Sequence, residues 1–213
     1  MSTVDCDDDL SELVRRAETL VERGARRLLG ITGAPGAGKG TVAADVLDAL
    51  GSRAVVVPMD GFHLAEAELH RLGRRDCKGA PDTFDSAGYL ALLRRLRHPE
   101  GEVVYAPEFH RDIEESFAGA IAVPPDVPLV ITEGNYLLLD SGPWARVREV
   151  LDETWFLLPD DAARVQRLVD RHVRHGKTPE DARAWVARSD ERNATLIAPT
   201  RTHATVLVHG DPI

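Results

Sequence analysis

The chain has 213 residues, 43% of them hydrophobic and 29% charged, a balance that supports a folded core and argues against wholesale disorder. Its apolar runs, such as LVIT at 129–132 and YLLL at 136–139, are too short to cross a bilayer, and the acidic start MSTVDCDDDL does not read as a signal peptide. With 26 basic residues against 35 acidic ones the net charge is −9, which disfavours a nucleic-acid partner but leaves room for a local basic pocket.

Residues 1–9 read as an acidic, solvated tail that favours the start of the helix after it. From Leu10 to about Gly24, Leu10, Leu13, Val14, Ala17, Leu20 and Val21 recur at helical spacing, with Gly24 as a stop. RLLGIT is a short buried strand, GAPGAGKGT a glycine-rich turn, and Val42, Val46, Leu47 and Leu50 mark a second helix. RAVVVP at 53–58 is the next strand, ended by Pro58. Leu64–Leu72 and Ser86–Leu96 are helical on either side of the loop 73–85. Two β-like runs, EVVYAP and AIAVPP, form an inserted arm near 100–124. PLVITEG, ETWFLLP and THATVLVHG are three further strands, separated by helical patterns over Pro143–Val150, Asp160–His175 and Thr178–Leu196. Strands alternating with helices predict an α/β fold of three layers around a mainly parallel sheet, in one domain over 1–213. The two cysteines, Cys6 and Cys77, are far apart and lack metal-ligand spacing, so the cytoplasm is the expected compartment.

Only three residues are lysines, Lys39, Lys78 and Lys177, so a lysine inside a glycine-rich turn stands out. Gly33-Ala34-Pro35-Gly36-Ala37-Gly38-Lys39 fits GxxxxGK between a strand and a helix. Glycines there let backbone N–H groups turn inward around phosphate oxygens, and the helix aims its positive end at the same anion. Lys39 would bridge the β- and γ-phosphates of a nucleotide, which makes ATP with Mg²⁺ the expected cofactor pair. Ser or Thr usually follows the lysine directly. Here Gly40 does, with Thr41 next, so Thr41 would touch either Mg²⁺ or a phosphate oxygen. Glu133, at the end of the buried strand PLVIT, would hold Mg²⁺ through water or bind substrate. Asp60, in RAVVVPMDGFH, ends the strand after the first nucleotide helix and faces the same crevice. A carboxylate there could orient an acceptor hydroxyl and take its proton, although an aspartate after a strand is also a common turn former.

GAPGAGKGT, MDGFH, GAPDTFD, YAPEFHR, ITEGNYLLLD and the arginine-rich RVQRLVDRH occur in that order over about residues 27–210. Together they resemble the uridine kinase, pantothenate kinase and phosphoribulokinase group of phosphate-loop kinases, above all bacterial nucleoside/nucleotide kinase-like and fructose-transport kinase-like proteins. The resemblance implies a phosphate-loop NTPase fold and phosphorylation of a hydroxyl on a sugar, nucleoside or pantothenate-like compound. It makes Asp60 the catalytic base and places His63, Tyr105, Phe109, His110, Arg111 and Glu133 on the acceptor side. The family's acidic position before APDTFD is Gly79 here, which removes a contact to ribose hydroxyls. Arg164, Arg167, Arg171 and Arg174 line one helical face. The resemblance makes that helix the root of a lid over about 164–181, with Arg167 and Arg171 neutralising charge on the transferring group. A homodimer is common in the resembling group. Two other readings stay open: a nucleoside-monophosphate kinase, suggested by the GKGT ending, and a nucleotide-switched regulator without catalysis.

Overall fold

Strands whose residues are apolar almost without interruption must be covered on both faces, and that condition builds the architecture. The computed structural model describes residues 2–5 and 10–210. Its central sheet is made of β1 (Ser2–Asp5), β2 (Arg27–Gly33), β3 (Ala54–Val56), β6 (Leu129–Glu133), β7 (Glu153–Leu158) and β8 (Val206–His209), in the order β1-β8-β7-β2-β6-β3. All neighbours are parallel, as the alternation of strands and helices requires. Successive side chains on β2 point to opposite faces: Leu28 joins Phe156 and Val130 on one side, Leu29 and Ile31 join Trp155 and Leu157 on the other.

The second of these faces is covered by α1 (Ser11–Val21), through Leu13, Ala17 and Leu20, and by α2 (Lys39–Leu50), through Val42, Ala43 and Val46. The first is covered by α4 (Ser86–Arg97), through Tyr89, Leu90, Leu93 and Leu96, with Tyr136 and Trp144 packed beside it. Three layers result. The short α3 (Glu66–Arg71) lies between the sheet and α4 in sequence. A two-stranded antiparallel hairpin, β4 (Val104–His110) and β5 (Glu115–Val123), stands apart from the main sheet and forms the inserted arm. After β7 come α5 (Asp161–Arg174), α6 (Pro179–Trp185) and α7 (Glu191–Ile197). No helix among the described residues is long and apolar enough to cross a membrane.

Three segments differ from the sequence reading. The acidic tail expected over 1–9 is structured in part. Ser2–Asp5 pairs with β8 at the sheet edge and Val4 is buried there, because the exposed edge of β8 offers unpaired backbone groups to any extended segment; residues 6–9 lie outside the described residues. Pro143–Val150 forms 3₁₀ turns rather than an α-helix, with Trp144, Val147 and Val150 turned into the core. The helix expected over Thr178–Leu196 is interrupted by a π-turn at Val186–Asp190, which seats Asp190 against His172 at 2.9 Å.

Candidate active site

The sheet order places β2 between β7 and β6, so the loop after β2 opens onto the crevice at the carboxyl ends of the strands. Gly36 and Gly38 take φ of 79° and 85°, left-handed values that favour glycine, and Gly38 caps the start of α2. Gly36 also has no room for a side chain, since a Cβ would lie 2.8 Å from the Arg164 carbonyl and 2.8 Å from Leu168. The loop therefore curls tightly with its backbone free to face an anion. Thr41 stands on the first turn of α2, next to Gly40.

Lys39 is buried, and its Nζ donates to the carbonyls of Gly33 at 3.1 Å and Ala34 at 3.0 Å. Burial depresses its pKa to about 8; the charges of Glu133 and Asp60 oppose that fall, and those of Arg171 and Arg111 add to it. Glu133, at the end of β6, moves the opposite way, up to about 7. Burial is the main cause, the charge of Asp60 adds to it, and Lys39 opposes it. Asp60 lies on the 3₁₀ turn Met59–Phe62 that follows β3, and its carboxylate accepts a bond from Arg111 Nη2 at 2.6 Å. Five charged groups from five parts of the chain thus converge on one crevice.

The arm reaches that crevice because Gly61 lets it. A Cβ at Gly61 would overlap the Pro107 carbonyl of β4, so only glycine allows the hairpin to lie this close to the Asp60 turn. His63 lies between two rings, 4.0 Å from Phe84 and 4.5 Å from Phe109, and its Nδ1 contacts the Asp60 carbonyl at 2.8 Å. Burial lowers its pKa, and the charge of Asp60 opposes the fall. The opposite wall, residues 79–84, is pinned from behind: Tyr136 and Asn193 both donate to the Gly79 carbonyl, and Trp144 Nε1 donates to Pro81.

The four arginines of α5 have four different fates. Arg164 is 3% exposed and donates to the Pro35 carbonyl at 3.1 Å, to Asp161 and to Glu191, so it fastens the helix to the back of the phosphate loop. Arg167 Nε donates to the Gly36 carbonyl at 3.1 Å. Arg171 is half-buried, within reach of the charges of Asp60 and Glu133; desolvation first and Arg111 second lower its pKa. Arg174 is exposed.

Of the acceptor-side residues expected from sequence, His63, Phe109, Arg111 and Glu133 meet around Asp60. Tyr105 is 58% exposed on β4, and the contacts of His110 run along the hairpin, to Glu108 at 3.5 Å and Phe117 at 4.9 Å between rings. Two neighbours of the site escaped the sequence reading. Phe84 closes the ring stack on His63 from within GAPDTFD. Lys78, with only 10% of its side chain exposed, bonds Glu66 at 2.6 Å and the Glu114 carbonyl at 2.5 Å and so clips the arm to α3. Its rarity among the basic residues was the available signal. Among the described residues no group of three or more His, Cys, Asp or Glu side chains could enclose a metal.

No family model matches the chain. A candidate uridine kinase of Schizosaccharomyces pombe is 34% identical over 197 residues, which span 87% of this chain and 84% of that one. An ATP-dependent kinase-like protein of Aspergillus versicolor is 33% identical over 162 residues, 72% of this chain and 94% of the other. Among solved structures, a candidate fructose transport system kinase from Silicibacter sp. TM1040 superposes with a TM-score of 0.85 at 35% identity, covering 93% of this chain and 98% of its own.

Proposed function

We propose, from the premise that the chain belongs to the uridine kinase-like family of phosphate-loop kinases, that Asp60 is the base and Lys39 the phosphate-binding lysine of its reaction. The chain is an ATP-dependent phosphotransferase acting on a hydroxyl of a small molecule. The observation that supports the assignment of roles is that Asp60, after β3, and Glu133, at the end of β6, both lie within reach of the charge of Lys39 at the carboxyl edge of the sheet.

The backbone N–H groups between Gly33 and Thr41, Pro35 excepted, and the positive end of α2 receive the β- and γ-phosphates of ATP. Lys39 then exchanges two neutral carbonyl partners for phosphate oxygens, a stronger bond for a buried ammonium group. Asp60 accepts the proton of the acceptor hydroxyl as it attacks the γ-phosphorus. Arg167 and Arg171, at the root of a lid over 164–181, balance the charge that spreads over the transferring group. The residues fit Mg²⁺: Glu133 and Asp60 bring two carboxylates into one half-buried crevice, and a cation there would relieve their repulsion. Thr41 and Glu133 would hold the ion, Glu133 through water, with phosphate oxygens completing a set that the protein alone does not enclose. The ion would supply positive charge against the phosphate oxygens. The arm near 100–124 covers the acceptor. The same reading carries a cytoplasmic site of action, a homodimer and no nucleic-acid or membrane partner.

The experiment is acceptor-dependent ADP release together with ATP affinity, measured on one preparation of Asp60→Asn. ATP affinity stays close to that of the unaltered protein, while turnover falls ~10²–10⁴-fold, the range for a lost acid–base group. Unchanged turnover would remove Asp60 from the chemistry. ATP hydrolysis indifferent to every acceptor would favour a nucleotide switch instead.

A further inference from the structure

The geometry points to an acceptor that carries an anionic group close to its reacting hydroxyl, recognised by Arg111. This inference rests on Asp60 being the base.

Arg111 uses one N–H of its guanidinium on Asp60 Oδ2, at 2.6 Å, and no other hydrogen bond of that group is found among the described residues. A guanidinium has five such donors in a rigid fork, so most of them remain at the mouth of the crevice, and the side chain is 45% exposed there. The group is also held in place, lying 5.9 Å from the centre of the Phe109 ring. Asp60 Oδ1 is left for the acceptor hydroxyl. An oxygen of the acceptor's anion on the free edge of the fork would then lie within roughly 3–6 Å of that hydroxyl, a span of one to three carbon atoms.

The surrounding charges favour the same reading. Three of the arm's acids are engaged elsewhere: Glu108 with His110, Glu114 with Lys78, and Glu115 with the Glu66 amide. Arg171 lies near enough to Arg111, Asp60 and Glu133 to feel their charges, so the crevice that holds the two carboxylates holds a second arginine as well. His63 packs against the tilted rings of Phe84 and Phe109 rather than standing free as a platform, and Gly79 supplies no carboxylate for ribose hydroxyls. The substrate class is therefore a small hydroxylated acid or sugar phosphate rather than a nucleoside.

The test measures kcat and KM for ADP release with three groups of acceptors. Glycerate and gluconate carry carboxylates, ribose 5-phosphate and fructose 6-phosphate carry phosphates, and fructose, ribose and uridine are neutral. Kinetics for Arg111→Gln and Arg111→Lys are taken alongside. The expected result is that one anionic group exceeds every neutral acceptor in kcat/KM by ~10–100-fold, the worth of one charge-assisted bond. Whichever anionic group leads identifies carboxylate or phosphate as the recognised chemistry. Arg111→Gln should raise KM for that group by a similar factor and shrink its preference over neutral acceptors, and Arg111→Lys should recover part of the loss. A residue that only held Asp60 in place would instead lower kcat for all acceptors alike. Uridine or a free sugar outperforming every anion, or an unchanged preference in Arg111→Gln, would overturn the inference and leave the kinase reading standing. ADP release from no acceptor, with ATP still raising the melting temperature, would overturn both.

Discussion

Replacing Lys39 by methionine removes a charge from a buried position while keeping most of the side-chain volume. An exposed loop lysine would add little packing, so sequence alone predicts no effect on stability; the burial of Lys39 changes that expectation. The fall of its pKa from the ordinary 10.5 to about 8 corresponds, at about 1.4 kcal/mol per pH unit, to about 3 kcal/mol held against folding at neutral pH. Loss of the two bonds to the Gly33 and Ala34 carbonyls offsets roughly half of that gain. The variant without nucleotide should therefore melt about 3–6 °C higher than the unaltered protein at pH 7. The sign with pH follows. The penalty on the charged lysine is full below pH 8 and disappears as the pH approaches 10.5, so the advantage of the variant should shrink over that window. Turnover should fall ~10²–10³-fold, as for the loss of one preorganised donor to a developing charge. Calorimetry at pH 7 and pH 10, with ADP release at pH 7, checks both parts. A Lys39→Met protein that melts lower than its parent at pH 7 would refute the buried-charge argument, and one that turns over normally would refute the phosphate role.

Glu133→Gln should raise the melting temperature of the nucleotide-free protein more at pH 8 than at pH 5. The raised pKa makes the carboxylate costly above about 7 and costless below 4.5, so equal gains at the two pH values would count against it. Arg164→Ala should destabilise by roughly 2 kcal/mol, because the packing of a buried side chain and the partner of the Pro35 carbonyl are lost, while Asp161 and Glu191 return to water. Arg171→Ala should instead lower turnover ~10²-fold with a small change in melting temperature. Melting curves and ADP release on both variants decide the point, and the reverse pattern would exchange their roles.

The alternation of apolar strands with amphipathic helices made the layered sheet legible, and GxxxxGK between a strand and a helix located the phosphate loop. Asp60 and Glu133 were legible for a topological reason: in a parallel sheet, residues at the carboxyl ends of strands share one crevice. What remained hidden depends on contacts between distant segments. A stripe of arginines at helical spacing is uniform on paper, yet Arg164 is buried against Pro35 while Arg174 meets solvent, because the phosphate loop packs against only the first turns of α5. The π-turn at Val186–Asp190 has no local sequence marker, and neither does the 3₁₀ stretch of 143–150, whose Trp144 bonds the distant Pro81 carbonyl. Ser2–Asp5 reads as a solvated acidic segment until β8, from the other end of the sequence, presents an edge to it.

That last pairing has a kinetic consequence. Ser2 meets Val206, so closing the contact spans roughly 200 residues, among the longest loops the chain can form and one with a high entropic cost. Little holds it afterwards: Ser2 and Thr3 are exposed, and Val4 supplies the buried apolar side chain. The outer edge of the sheet is thus expected to be late to assemble and early to open, and its backbone amides should be among the first in the sheet to exchange with solvent. Each opening uncovers β8 as an unpaired edge, a transient template to which another extended chain could add.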